Sequence, residues 1–271
     1  MIFYPLSILL QSGVRDILIV TAPRDKALFH ALLGDGSQFG AAISYIEQPV
    51  ARGIADAFIL GESFIDGDPV CLVLCDNFFY GEGLDEAIEK GWKNAGTGAT
   101  IFCQHVSNPS CYGVVSFNNS DKVIGLTEKP QTFISNWAAT GLYIYDGRAC
   151  ALAKTLAPSK RGELEITDLN NLYLEQEELR SIKFHKDFLW FDLGTYASIL
   201  EAGNLVAKIE SRDHVRIGCP YIAAYQAGYI DEQGLLDAAK TVGNPVYAAS
   251  LRNTAAMSLM PDESISKDNR I

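Results

Sequence analysis

The chain has 271 residues, of which 48% are hydrophobic and 20% charged, and its formal net charge at pH 7 is −11. This length and apolar content are enough for a sizeable core, which excludes a disordered protein. The negative charge argues against a nucleic-acid backbone or an anionic membrane as the main partner. A nucleotide stays compatible with it, because a bound cation and a few local bases can reverse the potential inside one cleft.

The amino terminus and the cysteines indicate a cytoplasmic protein. The first ten residues are apolar, but they lack a basic segment and a small-residue cleavage site, and they are too short to cross a bilayer. We expect them to form the buried face of a helix. The six cysteines show no Cys-x-x-Cys spacing, so we interpret them as small core residues in a reducing compartment.

Strand-like and helix-like segments alternate through the first two-thirds of the chain, as in successive β-α-β units. The predicted strands are residues 16–21, 43–46, 70–75 and 100–104, and the predicted helices are residues 24–33, 53–60 and 84–94. Strands with turns follow, which we expect to be antiparallel, at residues 113–117, 123–127 and 138–145. Helices return at residues 149–156, 165–176 and 195–209.

These segments predict an α/β fold of Rossmann-like type. We expect a mixed, mostly parallel sheet with helices on both faces, antiparallel additions and a helical C-terminal part. One domain should cover residues 1–250. From residue 251 the sequence becomes polar, and we expect residues 251–271 to form a disordered tail.

Two aspartates stand at positions suited to a divalent metal. Asp76 follows the apolar run of residues 70–75, and open α/β sheets bind their ligands at the carboxyl ends of strands. Asp192 has a similar setting in the sequence WFDLGT. Two carboxylates from distant parts of the chain are what a metal bridging nucleotide phosphates needs. The alternative is that both acids cap helices or turns.

Two charged segments are candidates for binding a sugar phosphate. Glu128 and Lys129 end a predicted strand in the sequence LTEKP, where the carboxylate suits sugar hydroxyls and the ammonium suits a phosphate. The alternative is an exposed strand end with two solvated charges. Arg161 precedes a predicted helix and can fork onto a phosphate. For its neighbours Glu163 and Glu165 the sequence favours a role at the helix start.

A third segment is a candidate for binding a nucleotide. Gln48 and Gly53 lie between a predicted strand and a predicted helix. The glutamine amide can pair with the edge of a base, and the glycine lets the backbone approach a ligand. An ordinary strand–turn–helix loop would look the same.

The order of these motifs along the chain resembles the sugar-phosphate nucleotidylyltransferases. The resemblance runs from Met1 to about Tyr247 and rests on a series of seven motifs: QPVARGIADAF, LVLCDNFFYG, CYGVV, LTEKP, TGLYIYD, RGELEITD and WFDLGT. It is closest to the members that make dTDP-glucose and pyrophosphate from dTTP and glucose 1-phosphate. It therefore implies this reaction, Mg²⁺ as cofactor, no partner among nucleic acids or membranes, and a homo-oligomer, with the tetramer as the expected state.

The resemblance also implies roles for individual residues. It gives Asp76 and Asp192 as metal ligands and makes Lys129 catalytic together with them. It gives the nucleotide contacts to Gln48, Gly53 and Asp76. The sugar-phosphate contacts it implies are Asn77, Gly113, Glu128, Lys129, Ala139 through its backbone, Tyr143 and Arg161.

Departures from the family pattern lead us to expect impaired turnover and leave two alternatives open. The family begins with a buried strand and a glycine-rich GGxGTR loop, which this sequence lacks before its YPL motif, so the domain of residues 1–250 is expected to be N-terminally truncated. Cys75 and Leu193 also stand where the family usually has Gly and Thr. We therefore expect impaired turnover. The alternatives are a non-catalytic protein that binds sugar nucleotides, or an enzyme for a different nucleotide or sugar.

Overall fold

The computed structural model describes residues 1–213 and 215–258, which form ten strands and eleven α-helices. The strands are β1 (Asp16–Thr21), β2 (Ala42–Glu47), β3 (Val70–Val73), β4 (Asn77–Tyr80), β5 (Ala99–His105), β6 (Gly113–Phe117), β7 (Val123–Glu128), β8 (Trp137–Tyr145), β9 (Leu179–Lys183) and β10 (Leu189–Asp192). The helices are α1 (Phe3–Gln11), α2 (Pro23–Leu33), α3 (Asp56–Leu60), α4 (Glu62–Ile65), α5 (Leu84–Lys93), α6 (Ala149–Ala153), α7 (Ile166–Glu175), α8 (Tyr196–Asp213), α9 (Pro220–Gln226), α10 (Glu232–Thr241) and α11 (Pro245–Ser258).

A six-stranded sheet holds the main core. Its strand order is β7-β6-β8-β5-β9, and β3 also pairs with β8. The two central strands are almost wholly buried, since β5 exposes only His105 and β8 is buried throughout after Trp137. Such continuous apolar strands are typical of a sheet covered on both faces. The predicted α/β fold with antiparallel additions is confirmed.

Parallel pairing makes up a smaller part of the sheet than the sequence predicted. Among the described residues, β1–β2 and β5–β9 are parallel, and the other pairs are antiparallel. The physical reason is the position of β8. It pairs antiparallel with both β3 and β5, so it separates two strands that run in the same direction and that α5 connects in the chain.

A cavity separates β1 from β3. In the described part of the chain, β1 pairs with β2 and β3 with β8, and the two strands do not pair with each other. Both line a cavity of about 820 Å³. Residues of α1 and of the segment after β2 line it as well, among them Leu6 and Gln48. The helix α1 buries Pro5 to Leu10, as the apolar start of the sequence predicted.

The C-terminal part is helical, as predicted, but it extends further than expected. The helix α11 runs to Ser258, and it buries Leu251 and Ala255 completely or almost completely against α9 and α10. The predicted start of the tail at residue 251 is therefore wrong. Polar residues that follow position 251 lie on the exposed side of α11. Leu251 and Ala255 are four residues apart and face the core, which the polar composition of the segment did not indicate. Residues 259–271 of the predicted tail lie outside the described residues.

Two further predictions concern membranes and cysteines. Within residues 1–213 and 215–258, no helix has both the length and the apolar character needed to cross a membrane. All six cysteines are free thiols. The prediction that they are core residues is confirmed for Cys103, Cys150 and Cys219, whereas Cys75 and Cys111 are exposed.

Candidate active site

The pairing of β4 with β10 brings the two predicted metal ligands together. Asp192 lies opposite Asn77 in the antiparallel register. Asn77 directly follows Asp76 in the chain. The backbone N–H of Leu193 donates a hydrogen bond to the carbonyl of Asp76 at 2.8 Å, which fixes the two turns against each other. Asp76 lies in the turn between β3 and β4, and Asp192 ends β10. Residues that are 116 positions apart thus share one edge of the molecule.

Asn77 holds the carboxylate of Asp76 in place. Its side chain is 3% exposed, and its Nδ2 donates to Asp76 Oδ1 at 2.9 Å. Its Oδ1 accepts from the backbone N–H of Gly141 at 3.0 Å and from Trp190 Nε1 at 2.6 Å. A Cβ atom at Gly141 would lie 2.6 Å from Asn77 Cγ, so only glycine leaves room for this arrangement. The predicted sugar contact of Asn77 stays a prediction.

The electrostatics of Asp192 show that the two carboxylates interact. Burial, followed by the charge of Asp76, raises the pKa of Asp192, while Gly194 N–H and Lys129 act in the opposite direction. A nearby cation would relieve this repulsion. Among the described residues, no group of three or more His, Cys, Asp or Glu side chains could hold a metal. Two carboxylates fit Mg²⁺, which commonly takes one or two protein carboxylates together with substrate phosphates and water.

Glu128 lies at the centre of a second polar cluster. Its Oε2 accepts a hydrogen bond from Thr167 Oγ1 at 2.6 Å. Its Oε1 lies 3.6 Å from Arg161 Nη2 and 3.9 Å from Lys129 Nζ. Glu128 also faces Gly113 in the β6–β7 register, and a Cβ at Gly113 would lie 2.9 Å from Thr167 Oγ1. One hydrogen bond and two nearby cations thus orient the strand-end carboxylate, unlike a freely solvated charge.

Arg161 is paired within the protein by a fork of hydrogen bonds. Its Nε and Nη2 donate to the two carboxylate oxygens of Glu165 at 3.2 and 2.7 Å, and Glu163 lies 3.2 Å away. Burial alone would raise the pKa of Glu165, but Arg161 and Ser159 lower it by donating hydrogen bonds. Glu165 occupies the N-cap position of α7 without a side-chain cap bond. Glu165 therefore stands at the helix start, as predicted, but its two oxygens accept from Arg161 rather than from the backbone of α7.

Lys129 follows β7 in an unusual backbone conformation. Its φ is +41°, and its N–H donates to the carbonyl of Tyr112 at 3.0 Å. The left-handed region costs a residue with a Cβ atom about 1–2 kcal/mol. Its side chain is 47% exposed, and its charge acts on both Asp192 and Glu165. Lys129 therefore lies between the aspartate pair and the Glu128 cluster.

The predicted nucleotide loop packs against the segment of Arg161. Gly53 has a φ of +100°, and a Cβ there would lie 2.4 Å from the carbonyl oxygen of Leu164. The N–H of Leu164 donates a hydrogen bond to the carbonyl of Arg52, and the carbonyl of Leu164 accepts one from the N–H of Ala55 at 3.2 Å. Gln48 and Gly53 line the cavity between β1 and β3, which also reaches Cys75 beside Asp76. The structure therefore connects all three predicted parts of the site.

The two remaining predicted residues belong to β8. Ala139 is 8% exposed and Tyr143 is 4% exposed. Burial, and then the charge of Glu128, raise the pKa of the Tyr143 hydroxyl. Both residues therefore belong to the strand beneath the Glu128 cluster. Their sugar contacts stay predictions.

Sequence reasoning missed several residues that organise the site. Thr167 and Trp190 donate to Glu128 and Asn77, and the buried Asp56 accepts from Gln48 and Arg52. Asp56 had one detectable signal, because an acid in the apolar stretch after Gly53 lies four residues from Arg52. The bonds of Thr167 and Trp190 depend on tertiary pairing alone.

The comparisons with known proteins match nearly the whole chain. The family described as Nucleotidyl transferase matches residues 1–209. The chain is 45% identical to a glucose-1-phosphate thymidylyltransferase of Neisseria meningitidis over 251 residues, which covers 93% of this chain and 87% of that protein. It is 42% identical to the glucose-1-phosphate thymidylyltransferase of Mycolicibacterium smegmatis, covering 89% of this chain and 83% of that protein.

Solved structures agree with this match. A Bacillus anthracis protein assigned as a glucose-1-phosphate thymidylyltransferase, crystallised with sucrose, superposes with a TM-score of 0.69 at 36% identity and covers 75% of this chain and 81% of that chain. A UDP-glucose pyrophosphorylase in complex with UDP-glucose has a TM-score of 0.65 at 22% identity and covers 76% and 86% of the two chains, which shows the fold alone. The chain therefore belongs to the nucleotidyl transferase family and lies among its glucose-1-phosphate thymidylyltransferases.

Proposed function

We propose that this chain transfers a thymidylyl group from dTTP to glucose 1-phosphate, giving dTDP-glucose and pyrophosphate. The observation that carries the proposal is the β4–β10 register, which places Asp192 opposite Asn77 and next to Asp76. The cavity that contains Gln48 and Gly53 reaches the same turn. The names of the relatives at 38–45% identity support this choice of substrates.

The residues of the site suit the two halves of the reaction. An oxygen of the glucose 1-phosphate phosphoryl group attacks the α-phosphorus of dTTP, and pyrophosphate leaves with the electrons of the broken P–O bond. Lys129 supplies an ammonium for a phosphate, and Glu128 supplies an acceptor for sugar hydroxyls. Thr167 donates a hydrogen bond to Glu128, and Arg161 lies 3.6 Å from its other oxygen, so the carboxylate is oriented before the sugar binds.

We propose Mg²⁺ as the cofactor, held by Asp76 and Asp192. Two neighbouring carboxylates fit this ion, and the raised pKa of Asp192 reflects burial and the charge of Asp76. The ion, when bound, supplies positive charge that screens the phosphates and stabilises charge on the leaving pyrophosphate. Asn77 holds Asp76 ready for this role through the bond to Oδ1.

The test is pyrophosphate release by the 271-residue chain. We expect release that requires dTTP, glucose 1-phosphate and Mg²⁺ together. Release with a different nucleoside triphosphate or sugar phosphate at a higher kcat/KM would support the alternative of an enzyme for a different nucleotide or sugar. Binding of dTDP-glucose without any release would support the non-catalytic alternative. The expectation of impaired turnover stays a prediction, which the same assay measures.

The assembly and the location of the chain also stay predictions. A homo-tetramer should show a mass four times 29.6 kDa by light scattering. The predicted cytoplasmic location agrees with free thiols at all six cysteines.

A further inference from the structure

Asp56 is a buried carboxylate that the proposed reaction does not use. It is 1% exposed at the start of α3. Its Oδ1 accepts from Arg52 Nη2 at 2.5 Å, and its Oδ2 accepts from Gln48 Nε2 at 3.0 Å. A buried charge is costly unless it is paired and hydrogen-bonded. Loss of Arg52 or Gln48 would therefore leave a buried carboxylate oxygen without its partner.

These bonds determine which way the amide of Gln48 points. Gln48 Nε2 also donates to the carbonyl of Gly53 at 3.2 Å. A carbonyl and an ionised carboxylate can only accept hydrogen bonds, so both must face the NH₂ group. Both amide hydrogens are then used inside the loop. Within the described part of the chain, Gln48 Oε1 accepts no hydrogen bond. Gln48 therefore offers the cavity an acceptor and no donor.

An acceptor at this position discriminates between nucleobases. Thymine and uracil carry an N–H at ring position 3, whereas cytosine has a lone pair at the same position. The amide oxygen can accept a hydrogen bond from this N–H of thymine or uracil, but it repels the lone pair at position 3 of cytosine. A polar group left unmatched in a buried site costs about 5- to 150-fold in affinity. If the amide were free to rotate, it could present its NH₂ to cytosine and the discrimination would be lost.

We infer that Asp56, held by Arg52, is a positioning residue that locks the amide of Gln48 with its oxygen toward the base, so that the site selects sugar nucleotides whose base carries a ring N–H. The inference rests on the proposed function, because it assumes that Gln48 meets the base. The inference adds a physical reason why the site would prefer thymine or uracil to cytosine. The glutamine determines selectivity only because a buried carboxylate behind it removes the alternative orientation.

The experiment measures binding rather than turnover. UDP-glucose and CDP-glucose differ only at positions 3 and 4 of the base, so the ratio of their dissociation constants isolates this contact. We expect calorimetry to give at least about tenfold tighter binding of UDP-glucose to the wild-type chain. In Asp56→Asn the ratio should fall by about fivefold or more, because an amide at position 56 can donate to Gln48 Oε1 and permit the other orientation.

Two further variants keep the test decisive. Arg52 is half exposed, so Arg52→Gln should fold, and we expect the ratio to fall in the same direction by a smaller factor. Glu62→Gln, on α4 next in the chain, is the control and should keep the wild-type ratio. Equal weakening of both ligands in Asp56→Asn and Arg52→Gln would overturn the inference and leave a purely structural role for Asp56. Failure of the wild type to bind dTDP-glucose or UDP-glucose would instead overturn the proposed function.

Discussion

Glu128 is a strand-end residue whose carboxylate is oriented by its neighbours. Thr167 donates to one carboxylate oxygen, and Arg161 and Lys129 lie near the other. The side chain is 23% exposed, so it keeps access to solvent while its orientation is fixed. A carboxylate that needs no reorganisation on binding loses less entropy than a free one.

Glu128→Ala should weaken the binding of dTDP-glucose by about 1–3 kcal/mol, because the sugar hydroxyls lose a charged acceptor. Isothermal titration calorimetry measures this directly. Glu201→Ala, an exposed glutamate of α8, is the control and should leave the affinity unchanged. Equal affinities of Glu128→Ala and the wild type would mean that Glu128 is a solvated charge at a strand end.

The sequence predicted the chemical character of individual residues better than it predicted which residues they contact. The acids at positions 76, 128 and 192 were identified, because each ends an apolar run or borders a turn. The partner that Arg161 takes in the folded chain could not be predicted. A charged side chain before a helix has the same local pattern whether it meets a phosphate or a neighbouring glutamate, and only the folded loop decides.

At the scale of elements, the contact between β8 and β4 supports the aspartate pair. Because Gly141 has no Cβ atom, the side chain of Asn77 can pack against β8 and accept a hydrogen bond from the N–H of Gly141. Asn77 in turn donates a hydrogen bond to Asp76. Glycine inside a strand often marks such a close approach. The position of a glycine in the sequence does not show that a side chain of β4 makes this approach.

Gly141→Ala should destabilise the protein by about 1–3 kcal/mol, because the new Cβ would lie 2.6 Å from Asn77 Cγ. It should also reduce the rise in Tm that Mg²⁺ and dTDP-glucose produce, since Asp76 loses its fixed position. Gly125→Ala in β7 is the matched control, because its Cβ would lie 4.0 Å from the nearest atom. Equal thermal melts of the two variants would contradict this role of Gly141.

Asp146 joins four elements at the opposite end of the sheet. It follows β8, accepts from the N–H of Gly98 before β5 at 2.7 Å, and accepts from Arg148 before α6 and from Tyr173 of α7. Burial alone would raise the pKa of Asp146, but the bonds from Arg148, Gly98 and Tyr173 outweigh it and hold this pKa below its ordinary value of 3.8.

This lowered pKa predicts a pH dependence of stability. The stabilisation from Asp146 is present above its ordinary pKa and is lost as the pH falls through the folded-state value. Asp146→Asn should therefore lower Tm at pH 7 and lose less stability than the wild type between about pH 5 and pH 2. Asp187→Asn, whose side chain is 78% exposed, should follow the wild type. Parallel pH profiles of Asp146→Asn and the wild type would rule out this account.

At the scale of the whole molecule, the sequence predicted the alternating elements but not their neighbours. Apolar runs and helical spacing locate β3, β5 and α5 within a few residues. They do not show that β8 lies between β3 and β5. A strand buried on both faces is apolar throughout, so its sequence has no polar–apolar alternation that would indicate which strand it pairs with. The resemblance to a family supplied the arrangement of the site that periodicity could not.

The site also depends on the arrangement of the whole molecule. The cavity between β1 and β3 joins Gln48 and Gly53 to the turn before Asp76. The backbone of Leu164 joins the same loop to the Arg161 segment. Under the proposed function, nucleotide and sugar phosphate meet at the aspartate pair, whose two members come from distant parts of the chain.

The most direct test of this account is the thermal melt of Asp76→Asn and Asp192→Asn with and without Mg²⁺ and dTDP-glucose. The wild type should show a rise in Tm that needs both ligands, since a ligand that binds only the folded state stabilises it. Both variants should lose most of that rise, whereas Asp237→Asn, a control on α10, should keep it. A full ligand-induced rise in both Asp76→Asn and Asp192→Asn would contradict the assignment of the metal and with it the site proposed for thymidylyl transfer.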